Sequence, residues 1–369
     1  MKLSRIAPLG AVALATALVL AGCASNENAP TSSSAPTTAG SVALSGTLNG
    51  IGSSAQGTAQ QTWIAGMQTQ NGNLTINYDP QGSGAGRKSF ISGAADFAGS
   101  DAALKDAELA GSFALCAAGT KAVDLPVYIS PIAIAYNVSG VDELKLDAPT
   151  IAKIFSGKIT KWNDPAITAL NAGVKLPSAT INVVHRSDDS GTTQNFTDYL
   201  AQNAGAAWGK PADQTFPYTV GDAAKGTSGV AEAAKNAQNS ITYIDESGIG
   251  TSGLKVAELK VGSTFNKISA TGAAAVVADS PIVSGRAAND LAIQINRKDT
   301  QANAWPLVLV SYVIGCQQYK DAAKAKLVSA YVQYIATSAA QDAAATQAGS
   351  APLSGDLAAK VVAAAKTIK

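Results

Sequence analysis

The sequence predicts an α/β protein with mixed sheets. Short β-type runs alternate with amphipathic helical runs along the chain after residue 40, the pattern of a sheet covered by helices. Small turns rich in glycine and hydroxyls recur where a β-type run hands over to a helix. About 330 residues follow residue 40, enough for two lobes with cores of their own.

The first residues read as a leader rather than fold. Lys2 and Arg5 make a short positive region, and residues 6–20 form an apolar run too short for a comfortable membrane span. Leu20-Ala21-Gly22-Cys23 predicts a bacterial lipoprotein signal over residues 1–22, cleaved before Cys23 with lipid on its sulfur; the plainer alternative is a secretory signal. Each buried methylene of an acyl chain adds about 0.8 kcal/mol to anchoring, so a multiply acylated Cys23 would hold firmly. Residues 23–40 carry almost no apolar side chains after the cysteine and are expected to form a flexible tether.

Composition excludes several classes. Lys and Arg number 27 against 26 Asp and Glu, and no basic stretch is interleaved with aromatics, so nucleic acid is not an expected partner. No second apolar run reaches spanning length. A single histidine, His185, excludes any site needing several imidazoles, and no metal is expected. Beyond Cys23 only Cys116 and Cys316 remain; in an exported protein such a pair favours a disulfide over two buried thiols.

In chain order, residues 44–48 read as a strand and 55–70 as a helix with Trp63, Ile64 and Met67 on one face. Residues 74–78 alternate as a strand, 86–92 form a short helix, 95–98 a short strand and 102–110 a helix. A long apolar β-type run covers 126–136. Residues 149–155 and 165–172 read as helices, each opened by a proline. Strands follow at 181–184 and 241–244, with a helix at 193–203 after the first. A second long apolar run covers 307–314, and helices at 321–336 and 355–367 close the chain.

The stretch Arg186-Ser187-Asp188-Asp189-Ser190-Gly191-Thr192 lies between the strand at 181 and the helix at 193. Free backbone N–H groups and the positive helix end collect there, which suits an anion. Arg186 adds a fork of donors matching a tetrahedral oxyanion, and Asp188 is placed to hold it. Three further turns have the same make-up: 49–55, 79–86 and 97–101. Ligands of α/β sheets gather at the carboxyl ends of strands. Each turn alone reads as a helix cap in a glycine-rich loop; four of them, with Arg186 in one, suggest donors converging on one small oxyanion. Gly221 and Gly226 have the glycine spacing of a P-loop, but Thr227 stands where the lysine is needed. Gly82-Ser83-Gly84 is not a nucleophile elbow. His185 is read as a turn residue near the mouth of the site.

These residues carry a resemblance. Gly50-Ile51-Gly52-Ser53-Ser54, Tyr78 through Gly82-Ser83-Gly84, Asp96 to Ala102, Ile154 to Trp162, Arg186 to Thr192 and Ala304-Trp305-Pro306 together resemble the PstS family, the phosphate-binding proteins that feed the bacterial ABC-type phosphate importer. The likeness runs from about residue 41 to the C-terminus. It implies phosphate binding through the Ser54 hydroxyl and the N–H of Ala55, through Ser83, Asp101 and Arg186, and through Ser190, Gly191 and Thr192, with Asp188 supporting Arg186. Asp101 would accept the proton of hydrogen phosphate. The family often carries an aromatic residue and proline after the first hydroxyl, whereas Ala55 and Gln56 follow Ser54 here, which leaves the local packing open.

The resemblance also implies two α/β lobes closing by a hinge, with the long apolar runs as crossing strands. Lobe one would hold 41–134 and 310–369, lobe two 135–309. A bond between Cys116 and Cys316 would tie the two parts of lobe one. The implied protein is an anchored, extracytoplasmic monomer with inorganic phosphate as ligand, importer permease subunits as partners, and no cofactor or catalytic residue. A receptor for sulfate or molybdate, or an exported phosphatase on the same cradle, are the competing readings.

Overall fold

The computed structural model describes residues 43–250 and 252–369; the leader, Cys23 and the tether lie outside them. The chain runs β1 (Ser45–Gly52), α1 (Gly57–Gln70), β2 (Asn73–Asp79), α2 (Ser83–Ser92), β3 (Phe97–Ser100), α3 (Asp106–Ala110) and β4 (Ala122–Asn137). It continues through β5 (Lys145–Leu146), α4 (Ala148–Phe155), α5 (Pro165–Thr168), β6 (Asn182–Arg186), α6 (Gly191–Trp208), β7 (Asp222–Ala224), α7 (Gly226–Asn236) and β8 (Ser240–Asp245). A 3-10 turn (Glu246–Gly248) leads to β9 (Lys255–Val256), β10 (Glu258–Val261), β11 (Thr264–Asn266) and α8 (Ala270–Ala278). Then come β12 (Val308–Cys316), α9 (Ala322–Ile335), α10 (Ser338–Ala348) and α11 (Gly355–Lys366).

The strands form one mixed sheet in the order β2-β1-β3-β12-β4-β8-β6-β7, with β9 beside β4, and a small sheet β11-β10-β5. The fold is the two-lobed α/β architecture that the sequence predicts. β4 carries the continuity. Fifteen of its 16 residues are buried, so both faces are covered and its side chains show no polar alternation. It pairs with β12 from Ala122 to Pro131, then with β8 from Ile132 to Asn137. Pro131, which lacks an N–H, sits at the change of partner, and Pro126 sits where the β4–β12 register slips between Ser311 and Tyr312. Such a bulge re-aims nearby side chains, and the Ser311 hydroxyl beside it reaches Asp101.

Pairs β1–β2, β1–β3, β6–β7 and β6–β8 are parallel. The carboxyl ends of β1, β2, β6 and β7 feed into α1, α2, α6 and α7. That places a row of helix N-termini along the strand ends, where α/β proteins bind ligands.

Several boundaries differ from the sequence expectation. β1 continues to Gly52, because glycine there lets it close on β3: a Cβ at Gly52 would lie 1.9 Å from the Gly99 carbonyl oxygen. The helix after it begins at Gly57 rather than 55, while α2 begins at Ser83 rather than 86. The helices expected at 102–110 and 165–172 shrink to α3 and α5, and α6 extends to Trp208. Helices α7, α8 and α10 were not expected. α8 and α10 bury mainly alanine, valine and glycine, which leave little amphipathic period to detect.

Cys116 and Cys316 are bonded, with Cα atoms 5.3 Å apart and 200 residues between them in sequence. Nearby, Asp124 is fully buried on β4 and accepts the Leu104 N–H. Arg286 reaches it at 2.8 Å, touches Asp290 at 3.4 Å and donates to the Leu104 carbonyl. Burial and the charge of Asp290 push the Asp124 carboxyl up to about 7. Arg286→Ala removes the cation from two facing carboxylates and should destabilise the fold by about 3–5 kcal/mol, read as a lowered urea midpoint at neutral pH. The deficit should shrink toward pH 5, where Asp124 is protonated.

Candidate anion-binding site

Three strand ends bring their turns together around Asp101, which is 3% exposed. From the end of β1, the Ser53 hydroxyl donates to Asp101 Oδ1. From the start of α2, Ser83 Oγ lies 3.1 Å from the Asp101 N–H and 3.3 Å from Oδ2. From β12, Ser311 also donates to Oδ1. Burial raises the Asp101 carboxyl above its ordinary range, against the opposing pull of the Ser311 and Ser53 hydroxyls and the Arg186 charge.

The β6–α6 turn supplies the positive side. Arg186 is 4% exposed at the end of β6, and its backbone N–H donates to the Tyr243 hydroxyl at 3.2 Å. Asp188 grips the guanidinium in a fork, with Nε to Oδ1 at 2.7 Å and Nη2 to Oδ2 at 2.5 Å. Burial works against the Asp188 charge, but Arg186 and the Gly226 N–H outweigh it and hold the carboxyl below its usual range. This pairing fixes the plane of the guanidinium.

Ser190 caps α6, accepting the Thr193 N–H at 3.1 Å. The N–H groups of Gly191 and Thr192 fall in the first turn, where no intrahelical acceptor exists. A Cβ at Gly191 would stand 2.5 Å from Ser83 Oγ and 2.6 Å from Asp101 Cβ, so only a glycine lets this helix end approach the other turns. Asn195 bonds the Asp101 carbonyl at 2.7 Å and the Gly191 carbonyl at 2.9 Å, tying the two turns in register. Thr192 Oγ1 is buried without a hydrogen-bond partner among the described residues. A buried hydroxyl left so is costly unless a ligand completes it.

Of the residues singled out from sequence, Ser83, Asp101 and Gly191 are thus in direct contact range, and Arg186 is paired with Asp188. The Ser190 hydroxyl oxygen accepts the helix-cap bond, which leaves its O–H proton free to donate. Ala55 N–H donates to Ser53 Oγ at 3.1 Å. Ser54 Oγ lies 3.1 Å from Thr227 Oγ1. Beside that pair opens a cleft of about 690 Å³ lined by Ser54, Gln81, Lys225, Thr227 and Ser247. His185 is not in the turn: it belongs to β6 and stacks on Phe216 at 4.1 Å, because strand pairing with β7 carries it past the end expected at 184.

Sequence reasoning missed Ser311, Thr227 and Asp245. Ser311 had a signal, being a hydroxyl inside an otherwise apolar strand. Thr227 follows a glycine at a helix start, as Ser83 and Thr192 do. Gln56 resolves the departure from the family pattern: it is fully buried and bonds Ser311 Oγ at 2.6 Å and the Tyr312 carbonyl at 2.9 Å, so an amide fills that position.

One buried cation, a helix N-terminus, small hydroxyls and a buried carboxylate, set at the strand ends of a two-lobed α/β frame, define a binding protein for a small oxyanion. Comparison with known proteins narrows the class. Residues 33–339 match the PBP superfamily domain. The chain is 40% identical over 329 residues to phosphate-binding protein PstS 3 of Mycobacterium leprae, covering 87% of this chain and 88% of the relative. It is 37% identical over 374 residues to phosphate-binding protein PstS 2 of Mycobacterium tuberculosis, with both chains fully covered. Among solved structures, a phosphate-binding protein from Stenotrophomonas maltophilia superposes with a TM-score of 0.68 at 23% identity, over 88% of this chain and 94% of that one. A high-affinity periplasmic phosphate-binding protein solved with phosphate gives 0.69 at 22% identity, over 86% and 93%. The chain belongs to the PBP superfamily and, within it, to the PstS family of phosphate-binding proteins.

Proposed function

We propose that this protein captures inorganic phosphate outside the cytoplasm and delivers it to the permease of an ABC-type importer. The observation that carries the reading is the buried pair of opposite charges, Arg186 and Asp101, beside the partnerless Thr192 hydroxyl at the start of α6. A desolvated dianion is costly unless each oxygen is paired. Arg186 supplies one full charge; Ser54, Ser83, Thr192 and the N–H groups of Gly191 and Thr192 supply neutral donors, the Ala55 N–H joins them by exchanging Ser53 Oγ for the ligand, and Asp101 accepts a hydrogen bond from the hydroxyl of hydrogen phosphate. Ser190 caps the helix with its hydroxyl oxygen and donates its proton to the ligand, and Asp188 contributes by holding Arg186.

The lobes are proposed as 41–134 with 310–369, and 135–309, closing over the ligand about β4 and β12. Within the second span, residues 286–293 lean back on the first: Leu291 N donates to the Asp124 carbonyl at 2.9 Å and Ile293 N to the Tyr312 hydroxyl at 3.0 Å. The protein acts as a monomer on a lipid anchor at Cys23, with residues 1–22 removed. Binding without turnover is the expected behaviour. The one imidazole is stacked on Phe216 and meets a backbone oxygen, so it is not paired with a candidate nucleophile.

Binding measurements on three variants test the reading. Arg186→Ala should weaken phosphate binding by about 10²–10³-fold, since it removes the charge and strands Asp188. Asp101→Asn should weaken it by at least about tenfold. Lys158→Ala should stay within about twofold, because Lys158 is exposed and its ammonium donates to the Ala207 carbonyl. Equal losses in all three would remove the role given to this cradle.

A further inference from the structure

We propose that Asp245 sets the direction of the Ser54 hydroxyl proton through Thr227, and so serves as a positioning residue for the anion. The inference rests on the phosphate reading above and on a chain of three side chains. Asp245 Oδ1 is 3.0 Å from Thr227 Oγ1, which is 3.1 Å from Ser54 Oγ. The Thr227 N–H also donates to Ser54 Oγ at 3.1 Å. Asp245 Oδ2 is held by the Ser247 N–H at 3.2 Å and the Ser247 hydroxyl at 2.7 Å.

Each hydroxyl has one proton, so the chain has two senses. When Asp245 is ionised it can only accept, and the Thr227 proton turns toward it. The Thr227 oxygen is then an acceptor, and it draws the Ser54 proton away from the cradle. When Asp245 is protonated it donates to Thr227, whose own proton turns to the Ser54 oxygen. The Ser54 proton is then free for a phosphate oxygen. One proton on Asp245 therefore decides whether Ser54 meets the anion as a donor or as a lone pair.

Asp245 is fully buried and forms no ion pair among the described residues. The groups facing it are Asp101 from the β3 turn, Tyr128 from β4 and Thr227 from α7, with Ser247 and Glu246 on its own turn. Burial and the Asp101 charge push it up to about 7, against the Ser247 and Thr227 hydroxyls, so both senses are populated near neutral pH. In Asp245→Asn, the amide presents an N–H to Thr227 at every pH and fixes the donor sense.

The experiment is phosphate affinity by calorimetry from pH 5.5 to 8.5 for the wild type, Asp245→Asn, Thr227→Val and Thr227→Ser. Taking ratios between proteins at each pH cancels the ionisation of phosphate itself. At pH 5.5 the wild type and Asp245→Asn should agree within about twofold; at pH 8.5 Asp245→Asn should bind about tenfold tighter, the worth of one charge-assisted hydrogen bond. Thr227→Val, which breaks the chain but keeps the carboxylate, should lose the wild-type pH dependence, and Thr227→Ser should restore it. Parallel profiles for the wild type and Asp245→Asn would overturn the relay. So would a Thr227→Val profile that follows the wild type, since that marks through-space repulsion alone. Failure of all four proteins to bind phosphate would overturn the ligand reading, and this inference with it.

Discussion

Phosphate should bind this protein about four orders of magnitude more tightly than sulfate at neutral pH. The two anions share size, shape and charge, so Arg186, the hydroxyls and the helix N–H groups treat them alike. They differ in one proton, which hydrogen phosphate has and sulfate lacks. Asp101 is buried among the Ser53, Ser83 and Ser311 hydroxyls and can only accept when ionised. Facing phosphate it gains a hydrogen bond; facing sulfate it opposes an oxygen lone pair with no water between. A buried polar mismatch of that kind supports discrimination of about 10⁴–10⁵. Two controls follow from the same geometry. Asp101→Asn places an N–H where the carboxylate stood, so it should improve sulfate binding while weakening phosphate and narrow the ratio to about tenfold. The Asp101 carboxyl already lies above its ordinary range. Lowering the pH protonates it, and sulfate affinity should rise as the repulsion disappears. Titration calorimetry with both anions reads all of this, and comparable affinities in the wild type would remove Asp101 as the selecting group.

What could be read without a structure follows from how each feature is encoded. The crossing strands β4 and β12 were legible because burial on both faces leaves long, mostly apolar runs without polar alternation. Arg186 to Thr192 was legible because a charge, a helix cap and a glycine fall within seven residues. Ser53 and Ser54 were harder: they are adjacent, and only the backbone path decides that Ser53 turns to Asp101 and Ser54 to Thr227. The link of Thr227 and Asp245 to Ser54 was invisible because strand order, not sequence proximity, brings them together across 173 and 191 positions. The pairs β5–β10 and β10–β11 involve two to four residues, too few for a period to show.

Removing the Cys116–Cys316 bond should cost about 4–5 kcal/mol of stability and leave phosphate affinity within about twofold of the wild type. The bond joins the segment ahead of β4 to the end of β12, across 200 residues of sequence. In the chain-entropy account, opening a loop of that length releases the unfolded chain far more than the folded one. The folded seam keeps its other ties. Gln317 N donates to the Lys121 carbonyl at 2.8 Å, Ala117 N to the Gln318 carbonyl at 2.8 Å and Lys320 N to the Leu115 carbonyl at 2.9 Å. Neither cysteine is among the residues that meet Asp101 or Arg186, so the cradle should survive. The measurement is urea unfolding of the wild type and of Cys116→Ser/Cys316→Ser, with phosphate titrations on both. A stability loss below about 1 kcal/mol would show that the seam constrains the unfolded chain without the bond. A loss of phosphate binding in a folded double mutant would show that the position of β12, and with it Ser311, depends on the disulfide.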